Sequence, residues 1–173
     1  RPVVDLVGLP KSLAGKTALD VATADGFWAF ELERRGADRV VALDIVEMGD
    51  SDVIPLKRAQ LPDTWATSVN YTCQRFATAH AMRRSQVEFR AGNVYTLSPE
   101  TVGAFDVVYC GDLLVHLFNP LQALCQIRSV TREMAIIETV AFQDQDYEAV
   151  ERQSPHLPLM WFGSRDAEQG DLG

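Results

Sequence analysis

The sequence predicts an α/β protein built around one doubly wound, mostly parallel sheet. Five short apolar runs have the length and composition of buried strands, and stretches with helical spacing lie between them along the chain. The right-handed rule for crossover connections then gives the strand order 3-2-1-4-5. With 173 residues and 47% hydrophobic content, the chain has enough apolar material for the core of one domain.

The first strand and the turn that follows it form the most informative stretch of the chain. The apolar run Thr17–Val21 predicts strand one, and the acidic turn 22–26 comes directly after it. Apolar residues then return at helical spacing until Gly36, which ends the predicted helix. Strand two, residues 39–43, leads directly into Asp44. Together these elements form one strand-turn-helix-strand unit.

The rest of the chain continues this alternation. Its patterns predict helices at residues 71–84 and 120–130 and strands at residues 86–90, 104–110 and 134–140. Residues 45–70, with two prolines and little periodicity, are predicted to be irregular. We therefore predict a domain over residues 1–140 and an irregular, partly mobile extension over residues 141–173.

Composition and charge narrow the range of partners. The 24 acidic and 16 basic residues give a net charge of −8, which opposes a broad hold on nucleic acid or on an anionic membrane surface. Three scattered cysteines without a CxxC pair predict reduced thiols, and three distant histidines predict no metal site. The sequence contains no secretory or membrane-spanning run. We expect a cytoplasmic protein without membrane association.

The turn and Asp44 together predict an adenosine site. Asp44 lies 24 positions after Asp20, about the offset at which dinucleotide-type folds place the carboxylate that accepts both ribose hydroxyls. A pyrophosphate needs three glycines in the turn, but residues 20–26 contain only Gly26. The acids Asp20 and Asp25 instead suit a cationic or ammonium-bearing ligand. A nicotinamide-dependent oxidoreductase is therefore disfavoured.

The segment DVATADG, residues 20–26, resembles the acid-x-Gly-x-Gly-x-Gly motif of the class I S-adenosylmethionine-dependent methyltransferases. In that comparison Asp20 is the acid and Gly26 the last glycine, while Ala22 and Ala24 stand at the first two glycine positions. The resemblance implies a Rossmann-like fold and S-adenosylmethionine as cofactor. The two methyl groups either crowd a working pocket, are relieved by a small backbone shift, or mark a non-catalytic cofactor-binding or scaffold relative.

The second half of the chain is similar to one branch of that family. The elements VEF, VYxLSPE, FDVV and GxLLxHLxNP recur in this order in the wobble-uridine tRNA methoxyuridine and carboxymethoxyuridine synthases and their relatives. This makes tRNA a candidate partner, although we favour a small-molecule substrate. The last two strands of the family, an antiparallel hairpin, have no counterpart after residue 140. Strand five is therefore predicted to be an exposed edge that a homo-oligomer or further residues would cover.

The same resemblance, with the order of the strands, implies which residues form the cofactor site. They lie in the turns after strands one, three and four and at the end of strand two: Asp20, Ala22, Ala24, Asp25, Gly26, Phe27, Asp44, Ile45, Gly92, Asn93, Val94, Cys110, Gly111 and Asp112. Phe27 is expected near the methionine end. Asn93 is expected near the adenine amino group, unless residues 92–93 are simply a turn.

A catalytic residue is harder to predict. His116 is the candidate general base, because its ordinary pKa suits proton transfer. The alternative is that His116 is a packed helix residue in an apolar stretch. Tyr95, Tyr109 and Asp112 are further polar groups expected at the same edge.

Overall fold

The computed structural model describes residues 3–53 and 55–139. Their core is a sheet of five strands in the order β3-β2-β1-β4-β5, in which all four neighbouring pairs are parallel. The strands are β1 Thr17–Val21, β2 Arg39–Asp44, β3 Glu88–Ala91, β4 Phe105–Gly111 and β5 Thr131–Glu138. The predicted fold class and strand order are confirmed. The predicted lack of a closing hairpin, the boundary at residue 140 and the mobile extension fall outside the described residues.

Helices connect the strands, and asparagine caps mark where two of them begin. The α-helices are α1 Phe27–Arg34, α2 Pro55–Arg58, α3 Tyr71–Arg83, α4 Pro99–Val102 and α5 Pro120–Ser129. Short 3-10 helices occupy Val3–Asp5, Met48–Asp50, Asp63–Trp65, Val94–Thr96 and Leu114–His116. The side chains of Asn70 and Asn119 accept hydrogen bonds from the first-turn N–H groups of α3 and α5. Within the described ranges, no helix has the length and apolarity needed to span a membrane.

The two central strands, β1 and β4, are buried on both faces of the sheet. On one face Ala18 and Tyr109 pack with Phe30 of α1. On the other face Leu19 and Cys110 pack with Ile127 of α5. Burial on both faces is typical of parallel strands between helices, and it explains why these strands are nearly continuous apolar runs in the sequence.

Strand β5 begins at Thr131, three residues before its predicted start, and ends at Glu138. The prediction was wrong because Arg132 and Glu133 interrupt the apolar pattern. Both charged residues nevertheless belong to the strand, where Arg132 lies 3.5 Å from Asp106 and Glu133 lies 2.6 Å from Lys16. Ion pairs with Asp106 of β4 and with Lys16, which precedes β1, thus replace apolar burial at this end of β5.

Strand β3 begins at Glu88, two residues after its predicted start. The N–H of Gln86 donates to Glu33 Oε1 at 2.6 Å, and the N–H of Val87 donates to Ser85 Oγ at 3.1 Å. Because side chains take these two N–H groups, pairing with β2 starts only beyond them.

The connection between β2 and α3 is more ordered than its sequence predicts. Its two ends pair with each other, since Met48 N donates to Ser68 O at 2.9 Å and Asn70 N donates to Val46 O at 2.7 Å. Gly49 permits this approach, because a β-carbon there would lie 2.7 Å from the carbonyl oxygen of Ala66. The segment is thus a loop whose two ends hydrogen-bond to each other directly after β2. We call residues 48–53 the loop tip.

Candidate functional site

The carboxyl ends of four neighbouring strands meet at one level. Val21 pairs with Leu43 on one side and with Cys110 on the other, and Cys110 pairs with Ile137. The residues that follow these four form a row across the sheet edge: Asp44, Ala22, Gly111 and Glu138. The row crosses the gap between β1 and β4, where the strand order reverses and where folds of this class bind ligands.

The turn after β1 has the backbone of a glycine-rich loop although it carries two alanines. Ala22 and Ala24 have φ angles of 59° and 50°, and Gly26 has a φ angle of 88°. A residue with a β-carbon loses about 1–2 kcal/mol in this left-handed region. Thr23 fixes the turn, since its N–H donates to Leu43 O at 3.1 Å and its carbonyl accepts from Gly26 N at 2.8 Å. The backbone of the turn therefore keeps the glycine-type conformation, although alanines replace the first two glycines.

Position 26 accepts only glycine. A β-carbon on Gly26 would lie 2.5 Å from Phe30 Cε2 and 2.7 Å from Phe76 Cδ2. The two phenylalanine rings stack with their centroids 5.4 Å apart and join α1 to α3. The one glycine that the sequence retains is thus the one that packing requires.

Asp44 lies at the end of β2 and holds the neighbouring turn. Its Oδ2 accepts from Ala24 N at 2.8 Å, and its Oδ1 accepts from Ile45 N at 2.8 Å. The side chain is only 8% exposed, and this burial raises the pKa of its carboxyl group, against the opposing effect of the two N–H donors. Each carboxylate oxygen keeps a lone pair, so Asp44 can accept further hydrogen bonds from the side of the crevice.

The other two acids of the turn have different surroundings. Asp20 is buried and its Oδ2 accepts from the hydroxyl of Thr23 at 2.7 Å. Burial raises the pKa of Asp20 to about 7, although the Thr23 hydroxyl opposes the shift. Asp25 is partly exposed and lies 3.0 Å from Arg75 of α3. Asp20 thus stabilises the turn from its buried side through Thr23, while Asp25 and the half-exposed Phe27 lie at the surface of the turn.

The side chain of Asn93, in the turn after β3, makes one hydrogen bond through its oxygen and one through its nitrogen. Its Oδ1 accepts from Tyr95 N at 3.0 Å and caps the short helix Val94–Thr96, while its Nδ2 donates to Asp50 O at 2.7 Å. Gly92 N donates to Asp44 O at 2.9 Å, which attaches this turn to the end of β2. The Asn93 carbonyl oxygen that sequence reasoning assigned to adenine is therefore already engaged once, with one lone pair left.

The residues after β4 are distributed over both faces of the sheet. Cys110 is fully buried against α5, where burial and the charge of Asp20 raise the pKa of its thiol to about 12. Its side chain therefore does not reach the crevice. Asp112 is exposed with a φ angle of 52°, and its N–H donates to Glu138 O at 2.9 Å. His116 is also exposed, which contradicts the alternative of a packed helix residue.

Tyr109 and Glu138 meet at this edge. The Tyr109 side chain is fully buried, its ring centroid lies 4.4 Å from that of Trp28, and its hydroxyl donates to Glu138 Oε2. Gly111 leaves room for the Tyr109 side chain, because a β-carbon at position 111 would lie 2.9 Å from Tyr109 Oη. Burial and the Glu138 carboxylate raise the pKa of the phenol. The phenol therefore remains a hydrogen-bond donor.

Two acids of this edge were missed by sequence reasoning. Glu138 lies inside the predicted fifth strand, and only the strand register, in which it pairs with Gly111, brings it to the crevice. Asp52 lies in the segment predicted to be irregular, and its contact with Tyr95 spans 43 residues of sequence. No local pattern marks either residue.

The acids described at this edge do not form a metal ligand set. Within residues 3–53 and 55–139, no group of three or more His, Cys, Asp or Glu side chains could hold a metal ion. Cys73, Cys110 and Cys125 are free thiols.

Similarity to known proteins agrees with this geometry. Residues 19–137, well over half of the chain, match the family model described as methyltransferase domain. The ubiquinone biosynthesis O-methyltransferase of Acinetobacter baylyi is 31% identical over 116 residues, which cover 66% of this chain and 39% of that protein. The chain thus spans about two fifths of the length of this relative.

Solved structures share the fold at low sequence identity. DhpI in complex with SAM and HEP is 20% identical with a TM-score of 0.53, and the match covers 80% of this chain and 53% of DhpI. The [4+2]-cyclase SpnF is 19% identical with a TM-score of 0.52, and the match covers 75% of this chain and 40% of SpnF. Because the family model covers most of the described domain, the chain belongs to the methyltransferase domain family, the class I S-adenosylmethionine-dependent methyltransferases.

Proposed function

We propose that this protein transfers a methyl group from S-adenosylmethionine to an oxygen atom of a small molecule. The observation that carries the proposal is the contact between Ala24 N and Asp44 Oδ2, 2.8 Å long, within a turn of glycine-type backbone at the crevice of the sheet. This hydrogen bond fixes the Asp44 carboxylate beside a turn whose backbone allows a ligand to approach closely. That pairing suits the ribose of an adenosine and membership of the methyltransferase family.

The residues present fit the cofactor. The free lone pairs of Asp44 can accept the two ribose hydroxyls, and Asn93 retains a lone pair for the adenine amino group. Asp25 and Glu138, the partly exposed acids of the edge, favour a ligand with sulfonium and ammonium charges over a pyrophosphate. The bound cofactor would supply a methyl group already activated by its sulfonium. The protein then has mainly to align the acceptor with that methyl group.

An oxygen acceptor on a small molecule is the favoured substrate. The relative from Acinetobacter baylyi is named an O-methyltransferase, which supports oxygen as the acceptor atom. The net charge of −8 opposes a polyanionic substrate. The resemblance to the wobble-uridine branch supports tRNA as the alternative substrate. His116, exposed beyond β4, is the candidate to accept the proton released by the acceptor.

A binding-only relative is the second candidate function, because alanines stand at two glycine positions of the turn after β1. Turnover separates the candidates. The protein would be incubated with S-adenosylmethionine and either a panel of phenols and catechols or bulk tRNA, and release of S-adenosylhomocysteine would be measured. Asp44→Ala serves as the cofactor-site control. We expect release with a member of the small-molecule panel and none with tRNA. Cofactor binding without release in either arm would favour the binding-only relative.

A further inference from the structure

The loop tip, residues 48–53, is tied to the turns that follow β3 and β4. Asp52 Oδ2 accepts from Tyr95 Oη at 2.6 Å and from Phe118 N at 2.7 Å. The carbonyl oxygen of Asp50 accepts from Asn93 Nδ2 at 2.7 Å. Among the described residues, these are the side-chain hydrogen bonds that join the loop tip to those two turns. One carboxylate thus connects three loops that lie at the same sheet edge.

Tyr95 is hydrogen-bonded to helix α5 as well as to the loop tip. Its hydroxyl accepts from Asn119 N at 3.0 Å, and its carbonyl oxygen accepts from Gln126 Nε2 at 3.2 Å. Asn119 is the cap of α5, so both partners fix Tyr95 to that helix. Burial and the Asp52 carboxylate raise the pKa of Tyr95, and the phenol stays a donor. Asp52, in contrast, lies in the loop tip itself.

The loop tip is also linked, through the turn after β3, to the main chain of Asp44 at the end of β2. The turn that binds Asp50 through Asn93 is attached to Asp44 by the hydrogen bond from Gly92 N to Asp44 O, 2.9 Å long. Loss of the Asp52 contacts would therefore loosen the loop tip beside the turn that carries Asn93.

We propose that Asp52 and Tyr95 are positioning residues for the cofactor: their hydrogen bond holds the loop tip across the adenine side of the crevice and thereby sets cofactor affinity. This inference rests on the proposed function. It predicts a role for two side chains that need not touch the cofactor themselves.

The test removes the phenol hydroxyl and keeps the ring. Binding of S-adenosylhomocysteine to Tyr95→Phe would be measured by calorimetry, and amide hydrogen exchange of the loop tip would be followed without ligand. Affinity should fall about tenfold, the size of a lost hydrogen bond to a charged group. Exchange of the loop tip should become faster while α1 exchanges as before. Tyr71→Phe, an exposed tyrosine at the start of α3, is the matched control and should change neither quantity.

A double-mutant cycle tests whether the two residues act together. Asp52→Ala combined with Tyr95→Phe should cost less affinity than the sum of the single changes, because both remove the same hydrogen bond. Unchanged affinity in a folded Tyr95→Phe, or unchanged exchange of its loop tip, would overturn the inference alone. A parent protein that binds no S-adenosylhomocysteine would overturn the proposed function and the cofactor role of these residues with it.

Discussion

The main-chain nitrogen of Ala24 donates a hydrogen bond to Oδ2 of Asp44, 2.8 Å away, and this bond joins the turn after β1 to the end of β2. The carboxylate is nearly buried, so it stabilises the turn as well as offering acceptors to a ligand. One side chain therefore links the order of the turn to the chemistry of the site.

Asp44→Ala should weaken binding of S-adenosylhomocysteine by about 1.5–3 kcal/mol, the scale of a hydrogen bond to a charged group. The melting temperature should also fall, because the N–H groups of Ala24 and Ile45 lose their acceptor. From the sequence alone, the position of Asp44 at the end of a strand would predict no such loss of stability. Calorimetry and thermal unfolding measure the two effects. Asp63→Ala removes an exposed acid from the neighbouring connection and should change neither. Equal affinity for Asp44→Ala and parent would mean that the ribose is held elsewhere.

Ala22→Gly combined with Ala24→Gly should leave the free energy of unfolding equal or slightly higher. Glycine relieves a left-handed strain of about 1–2 kcal/mol at each position, which exceeds its entropic cost of about 0.5–1 kcal/mol. The sequence alone predicts the opposite sign, since it does not reveal the φ angles of 59° and 50°. Chemical unfolding measures the change. Ala77→Gly, on an exposed part of α3, should instead destabilise by about 1 kcal/mol. A destabilised double variant would show that the alanine methyl groups contribute packing.

Gly26→Ala should destabilise the protein by roughly 2–5 kcal/mol, the sum of left-handed strain and overpacking against Phe30 and Phe76. Gly36→Ala separates the two terms. Gly36 ends α1 with a φ angle of 85°, but a β-carbon there would meet no atom within 4 Å, so only about 1–2 kcal/mol of strain is expected. Urea unfolding of both variants provides the comparison. Equal losses would mean that the two rings move aside without cost.

Asp20 should make stability fall as the pH rises from mildly acidic to neutral. Its folded pKa is raised from 3.8 to about 7 by burial, so between these values the native state keeps a proton that the unfolded chain has released. The resulting slope is on the order of 1 kcal/mol per pH unit. Asp20→Asn, which cannot ionise, should lose this slope and gain stability relative to the parent as the pH rises. Chemical unfolding between about pH 5 and 7 tests the prediction. Parallel curves for variant and parent would contradict it.

The fold was predictable from the sequence because both central strands are buried on two faces and carry nearly continuous apolar runs. The edge strands were harder to delimit. Arg132 and Glu133 are charged yet lie within β5, and the start of β3 depends on the side chains of Glu33 and Ser85. The contacts of Arg132, Glu133 and Glu33 join distant parts of the chain and leave no local pattern.

The candidate site was predictable where a single strand end determines it. Asp44 and Gly26 follow strands whose apolar runs are unambiguous, and the register brings Asp44 level with Ala22. The orientation of a side chain is not encoded in such runs. Cys110 therefore lies in the core of the opposite face, and Glu138 reaches the crevice only through its pairing with Gly111.

The most direct measurement is a calorimetric titration of the protein with S-adenosylmethionine, S-adenosylhomocysteine and NAD under identical conditions. The acids of the turn and the lack of two glycines oppose a pyrophosphate, whereas Asp44 can still accept both ribose hydroxyls. We predict binding of both sulfur ligands at one site per chain and weaker or undetectable binding of NAD. Tighter binding of NAD than of either sulfur ligand would contradict the assignment of this crevice to S-adenosylmethionine.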